Sequence, residues 1–278
     1  MMRVLVIGLG EVGRPLYEII KECNKFEVYG YDIDPSRTVN KLEDVPRPVD
    51  YVHICIPYKN FEDFITCLRN YREIFTPRLI IIHSTVAPGT TRVLHDRFVR
   101  YGTHVVHSPV RGVHKKMKEH LKFWTKWIGA PCDTCRDEAK KHLEEIGFKV
   151  RVASSPESTE LGKLWETILR AVLISTWHEI HRTTMMFGGD LVEIGEFIGE
   201  VHEVLHDRPV MYPDVIGGHC LIPNTELLLK VYESPLLKFV LESNEKRKRE
   251  LTIESARRDV ERLKNFIYEK LINKKYFE

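Results

Sequence analysis

The feature that most constrains the fold lies at the N-terminus, where a short apolar run leads into closely spaced glycines and then into a helical pattern. Residues 3–7 are typical of a buried strand, the glycines are Gly8, Gly10 and Gly13, and apolar residues recur at helical spacing up to Cys23. In such a loop the first glycine makes the turn, the second admits a pyrophosphate, and the third lets the helix pack on the strand. An ordinary strand-to-helix turn is the alternative interpretation of the glycines taken alone.

The next strand favours a dinucleotide site. It covers residues 28–31 and ends at Asp32, about 20 residues past the glycines, where an acid binds ribose hydroxyls. A carboxylate there repels a 2′-phosphate, so NAD is favoured over NADP, although Arg37 lies nearby. We therefore expect NAD as the cofactor.

Strand and helix patterns then alternate through the first half of the chain. Strands are predicted at 51–56, 79–83, 104–107, 123–128 and 149–152, and helices at 61–71, 90–101 and 133–146. This alternation predicts an α/β fold of the Rossmann type, with a doubly wound, mainly parallel sheet. Ligands bind beyond the carboxyl ends of such strands. The predicted cofactor-binding residues are Gly8, Gly10, Glu11, Val12, Gly13, Asp32, Arg37, Pro57 and Thr85.

The second half has a different pattern. From Pro156, apolar residues up to Trp177 recur at helical spacing, which predicts one long connecting helix. A helix is predicted at 190–205, then a loop at 208–223 rich in proline and glycine, then further helices. We therefore predict an NAD-binding domain at 1–154 and an all-helical substrate and dimerisation domain at 155–278.

Composition excludes several classes of protein. With 42 basic and 40 acidic residues the net charge is +2, which gives no excess for nucleic-acid binding. No apolar run approaches the roughly 18 residues of a membrane helix, and the first residues enter a strand without a signal peptide. Six cysteines at irregular spacing favour a reducing compartment, so a soluble cytoplasmic protein is expected.

Two cysteine-containing stretches are candidate functional motifs. Cys132 and Cys135 have the spacing of a redox or half-zinc motif, but no second pair follows at zinc spacing, so we interpret them as the start of a helix and predict no catalytic metal. The heptapeptide Gly217–Pro223 places Cys220 in a glycine turn. A thiol is a strong nucleophile and a good leaving group near neutral pH, so Cys220 is the candidate covalent catalyst.

With the glycine loop, Asp32 and the Cys220 stretch, the chain resembles the UDP-glucose/GDP-mannose dehydrogenase family. Stretches 31–35, 84–91 and 160–167 carry the same resemblance, and Asn244 falls in a family-like helix. The resemblance covers about residues 1–250 but not the family's third domain, which grips the nucleotide of the donor. It implies oxidation of a sugar primary alcohol to a carboxylate with two NAD, and a homodimer formed through the central helical domain.

The resemblance also implies roles for individual residues. Cys220 would capture the intermediate aldehyde as a thiohemiacetal that is oxidised to a thioester, Lys163 would stabilise oxyanions, and Thr85 would order the attacking water. A small molecule, with sugar nucleotides among the candidates, is the expected partner. The predicted substrate-binding residues are Thr167, Gly217, Gly218, Asn224, His114 and Arg111.

The chain departs from the family pattern at several site positions. Val110 follows Ser108 and Pro109 where the family has an acid, Thr167 replaces an asparagine, and Asn224 replaces an aspartate. Neither valine nor asparagine is a general base. His114 could take a proton, and a surface histidine is equally compatible with its setting. The nearby basic cluster, Arg111, Lys115, Lys116 and Lys118, is interpreted as a solvated face, with phosphate binding as the alternative.

Two other functions remain open from the sequence. A β-hydroxyacid-type dehydrogenase shares the two-domain pattern and uses a lysine on the connecting helix without a thiol, which would make Lys163 the catalytic residue. A non-catalytic NAD-binding sensor or assembly protein would explain the missing acids at Val110 and Asn224, while the retained Cys220, Lys163 and Thr85 favour an enzyme.

Overall fold

The computed structural model describes residues 1–271, apart from the side chain of His114, so the predicted role of that histidine lies outside the described residues. Contacts divide the chain into two compact units, Met1–Lys163 and Leu164–Glu278, here called the N-terminal and C-terminal units. The division falls inside a long helix. The domain boundary expected after residue 154 stays a prediction.

A sheet of five parallel strands forms the centre of the N-terminal unit. The strands are β1 (Met2–Ile7), β2 (Phe26–Tyr31), β3 (Tyr51–Ile54), β4 (Leu79–Ile82) and β5 (His104–His107). Their order in the sheet is β2-β1-β3-β4-β5, and every neighbouring pair is parallel. The chain builds outward from β1 in both directions, so the order reverses between β1 and β3. This doubly wound topology confirms the predicted fold class and creates a crevice at the reversal point.

Helices cover both faces of this sheet. They are α1 (Gly13–Glu22), α2 (Phe61–Phe75), α3 (Thr90–Phe98), α4 (Met117–Phe123) and α5 (Asp133–Ile146). Because side chains alternate along a strand, Val4 and Val6 belong to the core on one face while Leu5 and Ile7 belong to the other. The near-continuous apolar strands of the sequence follow from this burial on two sides.

The region after β5 corrects two predictions. The strand expected at 123–128 is shorter, β6 (Lys126–Ile128), because Phe123 is the last residue of α4. In addition, β6 pairs with β7 (Val150–Val152) as a separate parallel pair, joined to β5 only through an antiparallel bridge between His107 and Gly129. Helix α4 forms here because Met117, His120 and Leu121 bury one face at helical spacing, which leaves Phe123 exposed.

The described part of the C-terminal unit is helical and contains no strand. Its helices are α6 (Pro156–Phe187, which begins in the N-terminal unit), α7 (Leu191–Leu205), α8 (Leu221–Leu229), α9 (Pro235–Glu250) and α10 (Glu254–Lys270). The long helix predicted from Pro156 is confirmed at 32 residues. Asp190 caps α7 by accepting hydrogen bonds from Val192 N–H and Glu193 N–H, so the helix begins where predicted.

The loop predicted through Pro223 ends earlier than expected. Helix α8 begins at Leu221, and Pro223 lies in its first turn, where a proline costs no hydrogen bond because the first N–H groups of a helix have no partner within it. Among the described residues, no helix has the length and apolar character needed to cross a membrane.

Candidate active site

The glycine loop between β1 and α1 is fixed by sterics at two of its three glycines. Gly8 has φ +87°, and a Cβ there would lie 2.8 Å from Cys55 O. A Cβ on Gly13 would lie 1.7 Å from Gly8 O, so only glycine lets helix and strand approach this closely. At Gly10 the nearest atom to a Cβ is Arg37 Nη1 at 3.8 Å. The loop therefore combines a tight turn and close packing with open space at its second glycine.

The residues between the last two glycines lead directly into α1. Glu11 is exposed and Val12 is half-buried. Gly10 O accepts from Arg14 N–H at 3.0 Å and Val12 O accepts from Leu16 N–H at 3.2 Å, so the first helical turn begins inside the glycine loop. The first N–H groups of a helix have no partner within it, so such a helix start can donate to a phosphate.

The Asp32 carboxylate is held against the glycine loop. Leu9 N–H donates to Asp32 Oδ2 at 2.6 Å, and Asp34 N–H donates to Asp32 Oδ1 at 2.8 Å. Each carboxylate oxygen has a further lone pair, so the group can still accept from ribose hydroxyls.

Arg37 lies on the same side of the loop as Asp32. Its Nε is 3.3 Å from Asp34 Oδ2, its backbone carbonyl accepts a hydrogen bond from Arg14, and its guanidinium reaches the space above Gly10. A carboxylate and a guanidinium thus both face the cofactor crevice. The balance between the two charges decides how well a 2′-phosphate is tolerated.

Pro57 and Thr85 follow neighbouring strands at the same edge of the sheet. Pro57 is exposed just past β3, and Thr85 is half-buried just past β4. Ser84 Oγ donates to Ile56 O at 2.6 Å, which ties the two strand ends together. Because the strands are parallel, these residues share the carboxyl edge with the glycine loop and Asp32.

Lys126 is a residue of this edge that sequence reasoning missed. It begins β6 and is 3% exposed. Its Nζ donates to Ser108 O at 2.8 Å and to Pro109 O at 3.1 Å. Burial lowers the pKa of Lys126 to about 7. In the sequence, Lys126 is a single lysine among aromatic residues of a predicted strand. A lysine at the exposed end of a strand gives the same pattern, so the pattern did not reveal that Lys126 is buried.

Three buried histidines form a second group that the sequence did not reveal. His83 Nδ1 lies 2.7 Å from Ser108 O and must donate to it, so His83 Nε2 accepts from His53 Nδ1 at 2.9 Å. His53 Nε2 then accepts from His142 Nε2, also at 2.9 Å. Burial lowers the pKa of each ring, that of His142 to about 3, so all three are neutral. One carbonyl therefore sets the tautomers of the whole row.

Lys163 is half-buried on α6, one turn after Thr159. Thr159 Oγ1 is 2.8 Å from His107 Nδ1, and His107 Nε2 is 3.2 Å from Ser84 O. Burial is the main reason why the pKa of His107 falls to about 3, and the charges of Lys126 and Lys163 add to it. Lys163 is thus close enough to His107, the last residue of β5, for its charge to lower the pKa of that ring.

In the C-terminal unit, Cys220 precedes the first residue of α8. Its thiol is half-buried and forms no disulfide. Gly218 has φ +83°, and a Cβ on Gly217 or Gly218 would meet nothing within 4 Å, so the turn before the thiol has open space around it. The first turn of α8 holds no acidic residue.

Two buried side chains anchor the loop that leads to Cys220. His178 Nε2 is 2.8 Å from Asp214 O, and Asn244 Oδ1 accepts from Ile216 N–H at 2.7 Å. Asn244 Nδ2 also donates to Ile216 O at 3.3 Å. The sequence pointed to Asn244 only through the family resemblance. It did not point to His178, because each of these two side chains binds backbone atoms that are distant from it along the chain.

Thr167 and Asn224, two of the positions that depart from the family pattern, are partners. Asn224 Nδ2 donates to Thr167 Oγ1 at 2.8 Å, and that hydroxyl donates to Leu164 O at 2.9 Å. Both side chains are buried. Since Asn224 N–H also donates to Cys220 O at 2.9 Å, the neutral pair lies one helical turn from the thiol.

Two members of the basic cluster after β5, Arg111 and Lys118, make contacts within the N-terminal unit. Arg111 donates to a backbone carbonyl at 2.8 Å and stacks 4.8 Å above the Trp124 ring. Lys118 Nζ is 3.1 Å from Glu18 Oε2 on α1. Arg111 and Lys118 are thus tied to the N-terminal unit, which favours the interpretation of this cluster as a surface and leaves substrate binding by Arg111 a prediction.

Comparison with known proteins agrees with these features. Residues 157–246 match the model of the UDP-glucose/GDP-mannose dehydrogenase family, central domain. No curated protein matches the chain.

Solved structures share the fold at low sequence identity. The UDP-D-ManNAc dehydrogenase from Pyrococcus horikoshii has a TM-score of 0.76 at 21% identity, over 88% of this chain and 69% of that one. The UDP-glucose dehydrogenase from Pyrobaculum islandicum has a TM-score of 0.72 at 21% identity, over 88% and 68%. The 3-hydroxyisobutyrate dehydrogenase from Mycobacterium tuberculosis has a TM-score of 0.69 at 17% identity, over 91% and 94%.

Proposed function

Because residues 157–246 match the model of the UDP-glucose/GDP-mannose dehydrogenase family, central domain, we propose that this chain is an NAD-dependent dehydrogenase. The proposed substrate is a primary alcohol of a sugar, a nucleotide sugar or a related small molecule, which is oxidised toward a carboxylate. One combination of observations carries this proposal. The same chain has a glycine loop closed against an anchored Asp32 and a thiol, Cys220, at the start of a helix after a glycine turn.

The residues of the N-terminal unit fit a dinucleotide. The open space at Gly10 and the start of α1 suit the pyrophosphate, and the free lone pairs of the Asp32 carboxylate suit the ribose hydroxyls. NAD, when bound there, would supply the hydride acceptor for each oxidation. Pro57 and Thr85 would line the crevice past β3 and β4.

Cys220 is the proposed nucleophile. Its sulfur adds to the carbonyl carbon of the aldehyde formed in the first oxidation, and the carbonyl oxygen takes a proton to give a thiohemiacetal. Loss of a hydride and of the hydroxyl proton from that centre gives a thioester. Water then adds to the thioester carbon, the C–S bond breaks, and the carboxylate leaves with the thiol restored. This sequence of steps requires the thiolate form of Cys220 as the attacking species.

Lys163 and Thr85 are proposed to act on the oxygen atoms of the reaction. An ammonium stabilises the negative charge that develops on a carbonyl oxygen during addition of sulfur or water. Lys163 lies near His107, the last residue of β5, as its electrostatic effect on that ring indicates. The Thr85 hydroxyl would order the water that attacks the thioester.

The substrate-binding proposal includes a specific departure from the family pattern. Thr167 and Asn224 would present a neutral pair where the family has an asparagine and an aspartate, and Gly217 and Gly218 would let the substrate approach the backbone. A neutral amide cannot take a proton from water. Hydrolysis of the thioester therefore needs a base elsewhere, a role for which His114 remains the sequence candidate.

The neutral Thr167–Asn224 pair also supports a second candidate, a β-hydroxyacid-type dehydrogenase. Such an enzyme needs no hydrolysis and no thiol, and its chemistry would depend on Lys163. The chain shares its fold with a 3-hydroxyisobutyrate dehydrogenase, which is compatible with this second candidate. In a β-hydroxyacid-type dehydrogenase, Lys163→Ala should remove activity and Cys220→Ser should not. In the covalent mechanism, Cys220→Ser should remove activity as well.

We also propose that the protein is a cytoplasmic homodimer. The six cysteines are free, as a reducing compartment implies. Exposed apolar side chains on α6 and α7, including Leu169 at 56% and Phe197 at 74% exposure, would be covered in a dimer. Light scattering on the protein as it elutes from a size-exclusion column measures the molar mass of the particle in solution. A mass of one chain at micromolar concentration would contradict the dimer.

The decisive experiment is a screen of UDP-sugars, GDP-sugars and small β-hydroxyacids for NADH formation. We expect NADH from a nucleotide sugar, with two NADH per acid formed. Cys220→Ser should abolish acid formation and spare NAD binding, whereas Asp32→Ala should weaken NAD binding. Cys67→Ser is the matched control, because Cys67 is also a half-buried free cysteine but lies on α2.

Two outcomes would contradict the proposal. Acid formation at an unchanged rate in Cys220→Ser would exclude the covalent mechanism. The second outcome combines two results: Cys220 reacts with iodoacetamide no faster than Cys67 at any pH, and no substrate gives NADH. It would favour a non-catalytic NAD-binding protein.

A further inference from the structure

Two histidines and two cysteines of the N-terminal unit lie close together in the structure. They are His95 on α3, His104 at the start of β5, and Cys132 and Cys135 at the start of α5. One ligand atom from each residue lies within 4.8 Å of all the others. None of the four belongs to the proposed dehydrogenase site.

The two thiols are arranged by the helix start. Cys135 N–H donates to Cys132 Sγ and Cys132 N–H donates to Cys135 Sγ, each at 3.3 Å, so both sulfurs accept a backbone hydrogen bond. The sulfurs are 2.8 Å apart. The Cys135 thiol also donates to Cys132 O at 3.0 Å, and a metal binds sulfur in its thiolate form, so metal binding must displace this proton.

The two histidines close the other side of the cluster. Their rings stack with centroids 5.4 Å apart and an interplanar angle of 26°. His104 Nδ1 is 3.8 Å from Cys132 Sγ. Val105 N–H donates to His95 Nδ1 at 3.3 Å, so the neutral ring carries its proton on Nε2, and metal binding through either nitrogen requires this long hydrogen bond to break.

We propose that these four side chains bind a divalent zinc ion in a structural site. Two thiolates and two imidazoles are a ligand set that zinc takes in closed, tetrahedral structural sites. Bond lengths of about 2.3 Å to sulfur and about 2.0 Å to nitrogen place the ligand atoms of such a site roughly 3.3 to 3.8 Å apart. The 3.8 Å separation of His104 and Cys132 already fits. The two sulfurs, now 2.8 Å apart, must separate by about 1 Å to reach this geometry.

Burial and charge agree with this assignment. His95 and Cys135 are buried, whereas His104 and Cys132 are half-buried, so an ion can enter from the surface and then lose its water. Binding displaces the two thiol protons to solvent, and the two thiolates neutralise the charge of Zn²⁺. The ion would tie the N-terminus of α5 to α3 and β5 on the outer part of the sheet.

The test uses the full chain, purified and reduced, with Zn²⁺ and Co²⁺ as probes. We expect one equivalent of Zn²⁺ to bind with a rise in melting temperature. One equivalent of Co²⁺ should give the absorption bands of tetrahedral cobalt with thiolate ligands. Cys132→Ser is an informative variant because serine is a good N-cap, so α5 keeps its start while the soft ligand is lost.

Cys132→Ser and His104→Gln should each lower the affinity for zinc by at least about 100-fold. Loss of a group that only hydrogen-bonds to a metal ligand lowers metal affinity about 10- to 100-fold, and each of these substitutions removes a ligand itself. Cys23→Ser is the matched control and should bind as the unaltered protein does, because Cys23 is a half-buried free cysteine outside the cluster.

Three results would overturn the proposal. The first is that the reduced chain binds no stoichiometric metal. This includes a protein that is isolated with a disulfide between Cys132 and Cys135 and binds no zinc after that disulfide is reduced. The second is unchanged zinc affinity in both variants, which would place the bound ion elsewhere. The third is a cobalt spectrum without thiolate charge-transfer bands. None of these readouts depends on dehydrogenase activity.

Discussion

Replacement of the buried Lys126 by methionine should change how stability depends on pH. Lys126 is 3% exposed, and burial lowers its pKa from 10.5 to about 7. Methionine has a similar length and no charge. The substitution therefore removes the titration while it keeps most of the side-chain volume.

The sign and size follow from proton linkage. Between pH 7 and pH 10.5 the unfolded chain keeps a proton on Lys126 that the folded protein has released, so the free energy of unfolding rises with pH over that window. Below pH 7 both states are protonated, and the folded protein carries the full cost of the buried charge, roughly 5 kcal/mol. From pH 7 to pH 9 the contribution of Lys126 grows by about 2 kcal/mol.

Urea unfolding followed by tryptophan fluorescence at pH 7, 8 and 9 measures the effect. We expect the difference in unfolding free energy between the two proteins to shift by about 2 kcal/mol in favour of the unaltered protein as pH rises from 7 to 9. The neighbouring groups do not interfere, because burial puts the pKa of His83 well below this window and that of Cys55 at about 12.

Lys149→Met is the matched control, since Lys149 is exposed next to β7 and its replacement should leave the pH dependence unchanged. A free-energy difference for Lys126→Met that stays constant from pH 7 to pH 9 would refute the reasoning. It would mean that the Lys126 ammonium remains protonated in the folded protein throughout that range.

Three further substitutions test other contacts. Gly13→Ala should destabilise the protein by at least about 1–3 kcal/mol and lower its affinity for NAD, because the new Cβ would clash with Gly8 O. An unchanged melting temperature and an unchanged NAD titration would contradict the close packing of helix and strand. Asn224→Ala should cost about 1–3 kcal/mol in urea unfolding, because it removes the buried hydrogen bond to Thr167, and a cost near zero would show that the pair is not formed. Asn244→Ala should raise the rate of iodoacetamide labelling of the adjacent glycine-turn cysteine, measured by mass spectrometry, since it frees the loop at its buried anchor; an equal rate would mean that the other anchors suffice.

The elements of the fold were largely predictable from local patterns. The strand before Gly8, the helix after Gly13 and the long helix from Pro156 each follow from side-chain periodicity, which is a property of neighbouring residues. The predicted strand at 123–128 was wrong at its start because helical burial of Met117 and Leu121 extends α4 through Phe123. Aromatic residues fit both patterns, and only their packing decides between them.

Partnerships between distant residues were not predictable. The pair of Cys132 and Cys135 looked incomplete in the sequence because zinc motifs are recognised by spacing, and its histidine neighbours come from a different helix and strand. The same holds for Thr167, whose departure from the family pattern became interpretable only beside Asn224.

The sequence by itself determined the alternation of strands and helices, the glycine turns and the acid placed after β2, because each depends on the conformational preferences of a short stretch. Only the tertiary structure decided the strand order, the neutral state of the buried histidines and the low pKa of Lys126. Those properties depend on which residues become neighbours and on how much water their packing excludes.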